Sequence, residues 1–230
     1  MTRRHVAAVF FDVDFTLIYP GPTFQGEGYQ RFCAAYGIDV NPALFFAAVR
    51  SASSILDEHQ EHAYDAEIFV RYTGHIIEHM GGGGARVRDC AREIYLEWAV
   101  CRHFVLYDDV RPVLHALVQR GIKLGLISNS HRSLSAFEEH FQLGGLIAAA
   151  VSSSDHGYLK PHPSIFEAAL SLAGVEAAES LMVGDSVAHD IEGARRAGIR
   201  GVLVHRSDEP VTAPLDVPVI RDLSELLRLV

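Results

Sequence analysis

The chain has 230 residues, 49% of them hydrophobic, and a formal net charge of −9. That length holds one large domain or a domain with an inserted subdomain, and the apolar fraction is enough to bury a substantial core. The negative balance argues against nucleic acid and anionic membranes as partners, and no stretch approaches the roughly 20 apolar residues that would span a bilayer.

In chain order, the first element is the unbroken apolar run from Val6 to Phe11, which ends in Asp12-Val13-Asp14. A run of that kind reads as a strand buried on both faces of a parallel sheet. From Phe24 to about Arg102 apolar residues recur at helical spacing, predicting helices near 25–36, 43–58, 64–80 and 85–101, punctuated by Gly37, Pro42 and Gly81 to Gly84. The glycine run has no Lys-Ser/Thr after it, so it reads as a flexible joint between helices and not as a phosphate cradle. Beyond Asp108, helices and strands alternate: helix 110–120, strand 123–128, helix 132–141, strand 147–152, helix 163–173, strand 180–183, helix 187–197 and strand 201–204. Alternation predicts an α/β fold, a doubly wound parallel sheet of Rossmann-like type with right-handed crossovers. The helical block then becomes an all-helical insertion. The expected division is a core of 1–19 and 104–230 with a subdomain at 20–103.

The chemistry collects where strands end, and ligands of open α/β sheets bind outside the carboxyl ends of their strands. Asp12 and Asp14 lie two apart on extended chain, so both can face one small volume. The apolar segment Lys123–Ile127 ends in the hydroxyl of Ser128. Lys160 stands in Lys160-Pro161-His162-Pro163 just ahead of a helical pattern; Pro161 keeps it out of helical geometry and Pro163 suits a first helical turn. It is one of only two lysines against eighteen arginines. Leu181–Val183 runs into Gly184-Asp185-Ser186, with Asp190 on the next helix. Any one of these could be a solvated strand end or a surface lysine; four in order at matching strand ends are much harder to dismiss.

With those four motifs (DxDxT from Asp12 to Thr16, Ser128, Lys160, and GDSxxxD from Gly184 to Asp190) the chain resembles the haloacid dehalogenase superfamily of aspartate-nucleophile hydrolases over nearly its whole length. The resemblance implies a cap inserted between the first and second motifs, which favours small substrates. It also implies a Mg²⁺-dependent phosphatase acting on a small phosphorylated metabolite. Asp12 would be the nucleophile that becomes an aspartyl-phosphate, and Asp14 the general acid and base. Asp12, Asp185 and the backbone carbonyl of Asp14 would hold Mg²⁺, whose preference is for oxygen ligands. Ser128, the Asn129 backbone N–H and Lys160 would bind the transferring group. Thr16 and Asp190 would stand behind these, Asp190 steering Lys160 or a metal-bound water; an ordinary acid at a helix N-terminus is the competing reading for it. Relatives that cleave carbon–halogen bonds lack the second acid, so Asp14 favours phosphate chemistry. One departure stands out: many relatives have Gly after that acid, whereas here it is Phe15, which disfavours positive φ. The turn is therefore expected to differ, with Phe15 either lining the pocket or packing on the cap.

Other signals carry less. His75-Ile76-Ile77-Glu78-His79 matches a zinc-peptidase pattern, and His59 and His62 form a second pair, but among thirteen histidines a His-rich helical surface explains both. Phe45, Phe46, Phe69, Tyr72 and Trp98 fit helical packing, and Gln25, Tyr29 and Tyr107 are weak candidates for substrate contact. The cysteines Cys33, Cys90 and Cys101 are odd in number and lack metal-ligand spacing, as expected of reduced thiols and a cytoplasmic location. Met1–His5 leaves no room for a signal peptide before the first strand. The alternatives are a phosphomutase using the same aspartyl-phosphate, a phospho-aspartate signalling module, and a silent binding relative. A receiver module keeps its acids elsewhere and has no helical insertion. A Schiff-base phosphonate hydrolase needs a cap lysine, and this cap has none.

Overall fold

The computed structural model describes residues 5–57, 62–207 and 213–230. The chain divides into two compact units, Met1–Tyr19 with Leu106–Val230, and Pro20–Val105.

The first unit is an α/β layer structure. The opening apolar run forms β1 (Ala8–Phe11), whose four residues are all buried, as a strand covered on both faces must be. The chain leaves along β2 (Ile18–Pro20) and returns along β3 (Phe104–Leu106), which together form a two-stranded sheet. Neither short strand was anticipated from the sequence. The remaining strands are β4 (Lys123–Ser128), β5 (Ile147–Ser152), β6 (Ser180–Gly184), β7 (Arg200–Val204) and β8 (Val219–Ile220). The large sheet runs β5-β4-β1-β6-β7-β8 and is parallel throughout. Both sides of β1 are therefore occupied, by β4 and β6, with Phe11 level with Leu126 on one side and Val183 on the other. The chain visits β4 and β5 before crossing to β6, so the strand order reverses at β1. That reversal is where such sheets open a crevice.

The layer on one face includes α8 (Pro163–Ala173), whose Ile165, Phe166 and Ala169 are buried with Phe10, Ile127 and Met182. Burying side chains of this size contributes about 1.5–3 kcal/mol each. Pro163 occupies the first turn of α8, and the His162 ring accepts the Ser164 N–H as its cap. The segment expected as one helix over 187–197 is instead a π-helical turn, Val187–Ile191, followed by a short α-helix, Glu192–Arg196. Isolated π turns concentrate at functional positions.

The second unit is helical: α1 (Gly26–Ala35), α2 (Phe45–Asp57), α3 (Ala66–His79) and α4 (Val87–Trp98). Helix α3 packs against both α2 and α4 and buries Ile68, Val70, Thr73, Ile76 and Ile77, residues spread over more than one face, as a helix between two neighbours requires. Asp65 caps α3 by accepting the Glu67 N–H. The glycine run is an ordered turn: Gly81 takes φ of +98° and donates to Glu78, and Gly82 donates to Ile77, a left-handed helix stop of the sort glycine permits. Phe46, expected in the packing, is 67% exposed. Cys33, Cys90 and Cys101 are buried and none is in a disulfide. No helix among the described residues is long and apolar enough to cross a membrane.

Candidate active site

Asp12 follows β1 directly; its N–H still donates to the Val183 carbonyl at 2.9 Å, so the residue is held in register with β6. The chain then turns sharply. The Val13 carbonyl accepts from both Leu17 and Ile18, and Phe15 donates to Ile18. The turn needs φ of +63° at Phe15, a region that costs a side-chain-bearing residue roughly 1–2 kcal/mol. Phe15 thus takes up the left-handed conformation in spite of its side chain, contrary to the expectation of a differently shaped turn. Its side chain is partly exposed, at 45%. Arg206 secures the same turn, donating from Nε and Nη2 to the Thr16 carbonyl while pairing with Asp109 and lying 3.7 Å over the Tyr107 ring.

Lys160 is the hub. Its buried Nζ donates to Asp12 Oδ1 at 2.6 Å, Asp190 Oδ1 at 2.7 Å and the Ile127 carbonyl at 2.8 Å. Asn129 fixes the backbone of Lys160, its Oδ1 accepting the Lys160 N–H at 2.7 Å and its Nδ2 donating to the Lys160 carbonyl at 2.9 Å. Ser128, at the end of β4, is buried with its Oγ 2.9 Å from Ser130 Oγ. On the π turn, Asp190 Oδ2 accepts the Ser186 N–H. It leaves no room beside Gly184: a Cβ there would stand 2.2 Å from Asp190 Oδ2. Asp190 is thus an integral member of the cluster and no mere helix-end acid.

Asp12, Asp185 and Asp190 each offer a carboxylate oxygen, and the three oxygens lie within 4.8 Å of one another. This is the only such group of metal-ligating side chains among the described residues. Asp12 Oδ2 is buried and has no hydrogen-bond partner; so is Thr16 Oγ1. A buried oxygen left bare costs free energy unless something takes its lone pairs. Three carboxylates about one ammonium also carry two uncompensated negative charges if all are ionised. An all-oxygen donor set with that excess suits a hard divalent cation such as Mg²⁺. The electrostatics agree. Burial pushes the Asp12 carboxyl up to about 7; Lys160 opposes the rise, and the charges of Asp190 and Asp14 add to it. Asp185 opens to solvent on one side, yet the protein around it, and then Asp12 and Asp190, hold it well above the usual carboxylate range. Burial disfavours the Lys160 ammonium, but the two carboxylates outweigh that and its pKa rises.

Asp14 is near enough for its charge to act on Asp12, but its side chain is turned to Arg132. Both carboxylate oxygens accept from Arg132 Nη1, at 3.0 and 2.9 Å. Sequence reasoning did not single out Arg132; the one available signal is its position four residues beyond Ser128, and nothing in that spacing reveals burial.

The remaining candidates belong to the helical unit. Tyr29 is buried inside the helical unit, its ring 5.0 Å from that of Phe45, so it is a packing residue. Gln25 precedes α1 and is exposed. His75 and His79 stack at 3.8 Å; His75 meets Ser51 Oγ and His79 Nδ1 lies 3.0 Å from the His75 carbonyl, which leaves a surface pair without a third ligand among the described residues. His59 lies outside the described residues.

A doubly wound sheet with carboxylates and a buried ammonium gathered at its switch point has the layout of an α/β enzyme. The chain belongs to the haloacid dehalogenase-like hydrolase family, whose sequence pattern it matches over residues 6–198. It is 29% identical to haloacid dehalogenase-like hydrolase domain-containing protein 3 of Danio rerio, covering 97% of this chain and 96% of that one. It is 30% identical to N-acylneuraminate-9-phosphatase of Mus musculus, covering 98% and 94%. The fold matches that of the magnesium-bound HAD-hydrolase YfnB of Bacillus subtilis with a TM-score of 0.75 over 98% of both chains, at 18% identity.

Proposed function

We propose that the protein is a Mg²⁺-dependent phosphatase that hydrolyses a small phosphomonoester through an aspartyl-phosphate on Asp12. The observation that carries the reading is the bare, buried Asp12 Oδ2 beside a fixed ammonium. A carboxylate so held keeps one oxygen committed to Lys160 and one free to react or to ligate. Asp12, Asp185 and the Asp14 backbone carbonyl would hold the cation, with Asp190 adjoining them. When bound, the cation supplies charge that screens the approach of one anion to another.

The residues of the chain do the rest. Lys160 neutralises the transferring group as a point charge, and Ser128 Oγ and the Asn129 N–H donate to its oxygens. Asp12 attacks phosphorus as the alcohol oxygen departs. Asp14 gives that oxygen a proton, then takes one from the water that cleaves the acyl-phosphate, so a single group works in both directions. Asp190 keeps the Lys160 ammonium aimed between the carboxylates, and the helical unit Pro20–Val105 serves as the cap. The relatives include a protein named N-acylneuraminate-9-phosphatase and a Thermus thermophilus phosphoserine phosphatase, 33% identical over 58% of this chain and 53% of that one. These names favour a small phosphorylated metabolite.

The purified protein should hydrolyse para-nitrophenyl phosphate with Mg²⁺ and lose that activity with a chelator. Asp12→Asn should abolish turnover. Persistence of most of the activity in Asp12→Asn would remove Asp12 from the role.

A further inference from the structure

Arg132 is the feature that the four motifs leave unexplained. Its side chain is 0% exposed, although it carries a permanent charge. It belongs to the same α/β unit as Asp14 but stands 118 residues away in sequence, and its Nη1 donates to both Asp14 oxygens. A buried guanidinium is costly to maintain without a paired anion. Its partner here is the carboxylate read above as the acid and base. The Asp14 side chain remains 18% exposed, and each carboxylate oxygen has a second lone pair. Asp14 can therefore hold or release a proton on its open side while the other side stays on Arg132.

We propose that Arg132 is a positioning residue for Asp14: it fixes the carboxyl group so that its open oxygen meets the departing alcohol, and it compensates the charge that appears there when the proton leaves. In the first half-reaction the bond from phosphorus to the alcohol oxygen breaks as Asp12 bonds to phosphorus, and the Asp14 proton passes to that oxygen. Asp14 ends as a carboxylate facing a fixed cation. In the second half-reaction it recovers a proton from water. Because this interaction strengthens as charge develops, its loss should fall on the chemical step more than on substrate binding. The inference rests on the acid–base role proposed for Asp14.

The test is leaving-group dependence. A nitrophenolate departs without needing a proton, whereas a simple alkoxide does need one, and kcat/KM reports the steps through that departure. With an alkyl phosphomonoester, Arg132→Gln should lower kcat/KM by roughly a hundredfold, within the range a positioned acid supplies. With para-nitrophenyl phosphate the loss should be only a few-fold, and Arg132→Lys should recover part of the alkyl activity. Equal losses on both substrates, or no loss on either, would overturn the proposal. Asp14→Asn is the control: if it too fails to discriminate between the substrates, the acid–base reading falls and this inference with it. If Asp14→Asn discriminates and Arg132→Gln does not, only the positioning role is lost. Should neither Arg132 variant fold, a crystal structure of the intact enzyme decides: a guanidinium turned away from Asp14 contradicts the assignment, and one bonded to it supports it.

Discussion

The carboxyl of Asp12 rises from an ordinary value of 3.8 to about 7, chiefly because it is buried. An acid whose pKa is raised by folding holds its proton in the native state at pH values where the unfolded chain has released it. Stability therefore falls as pH climbs from the unfolded to the folded value. The metal-free protein should lose stability over about pH 4 to 7 on this account, and Asp12→Asn, which cannot ionise, should not share that loss. Thermal melts of both proteins without metal check this. The melting temperature of the variant should pull ahead of the wild type as pH rises, and a constant difference would contradict the burial argument. At this scale the sequence marked candidate residues but not their conformation. Asp12, Ser128, Lys160 and Asp185 could be picked out because each interrupts an apolar run or precedes a helix. The left-handed φ of Phe15 could not, because the closure of its turn overrides the residue's own preference.

The elements that repeat a simple period were legible. Strands β4 and β5 and helix α8 fall where alternation and capping put them. The departures come where tertiary contacts set local geometry. The π turn at Val187–Ile191 follows from seating Asp190 against Gly184 and Lys160, a demand no local pattern encodes. The strands β2 and β3 are three residues each and exist only as a pair across more than eighty positions of chain. Phe46 has the spacing of a core residue, but spacing cannot reveal that its ring, 5.4 Å from that of Phe45, stays 67% exposed. Between elements, the Lys160 loop is joined to the end of β4 by the two hydrogen bonds of Asn129. Asn129→Ala keeps the backbone N–H and removes only the tether. Losing two partly buried bonds should cost about 1–3 kcal/mol in denaturant titrations and raise KM several-fold with kcat less affected. Unchanged stability and KM would mean that the loop is held by other contacts.

For the molecule as a whole, the −9 charge and the task of handling an anion pull in opposite directions. The fold reconciles them locally. It brings a single lysine and three carboxylates from three separate segments to the sheet's switch point, where a divalent cation would complete the balance. That convergence depends on strand order; βα alternation indicated a doubly wound sheet but not its order, and Arg132 and Arg206 became visible only once the chain was folded.

The proposed mechanism turns on phosphorylation of the Asp12 carboxylate during turnover. Rapid acid quench during the first turnover, followed by borohydride reduction and peptide mass spectrometry, tests it directly, because an acyl-phosphate is reduced to the alcohol and a free carboxylate is not. Phosphorylated Asp12 should yield homoserine at position 12, formed only with substrate and Mg²⁺ and missing from Asp12→Asn. Reduction at another acidic residue, or turnover with position 12 unmodified throughout the burst, would contradict it.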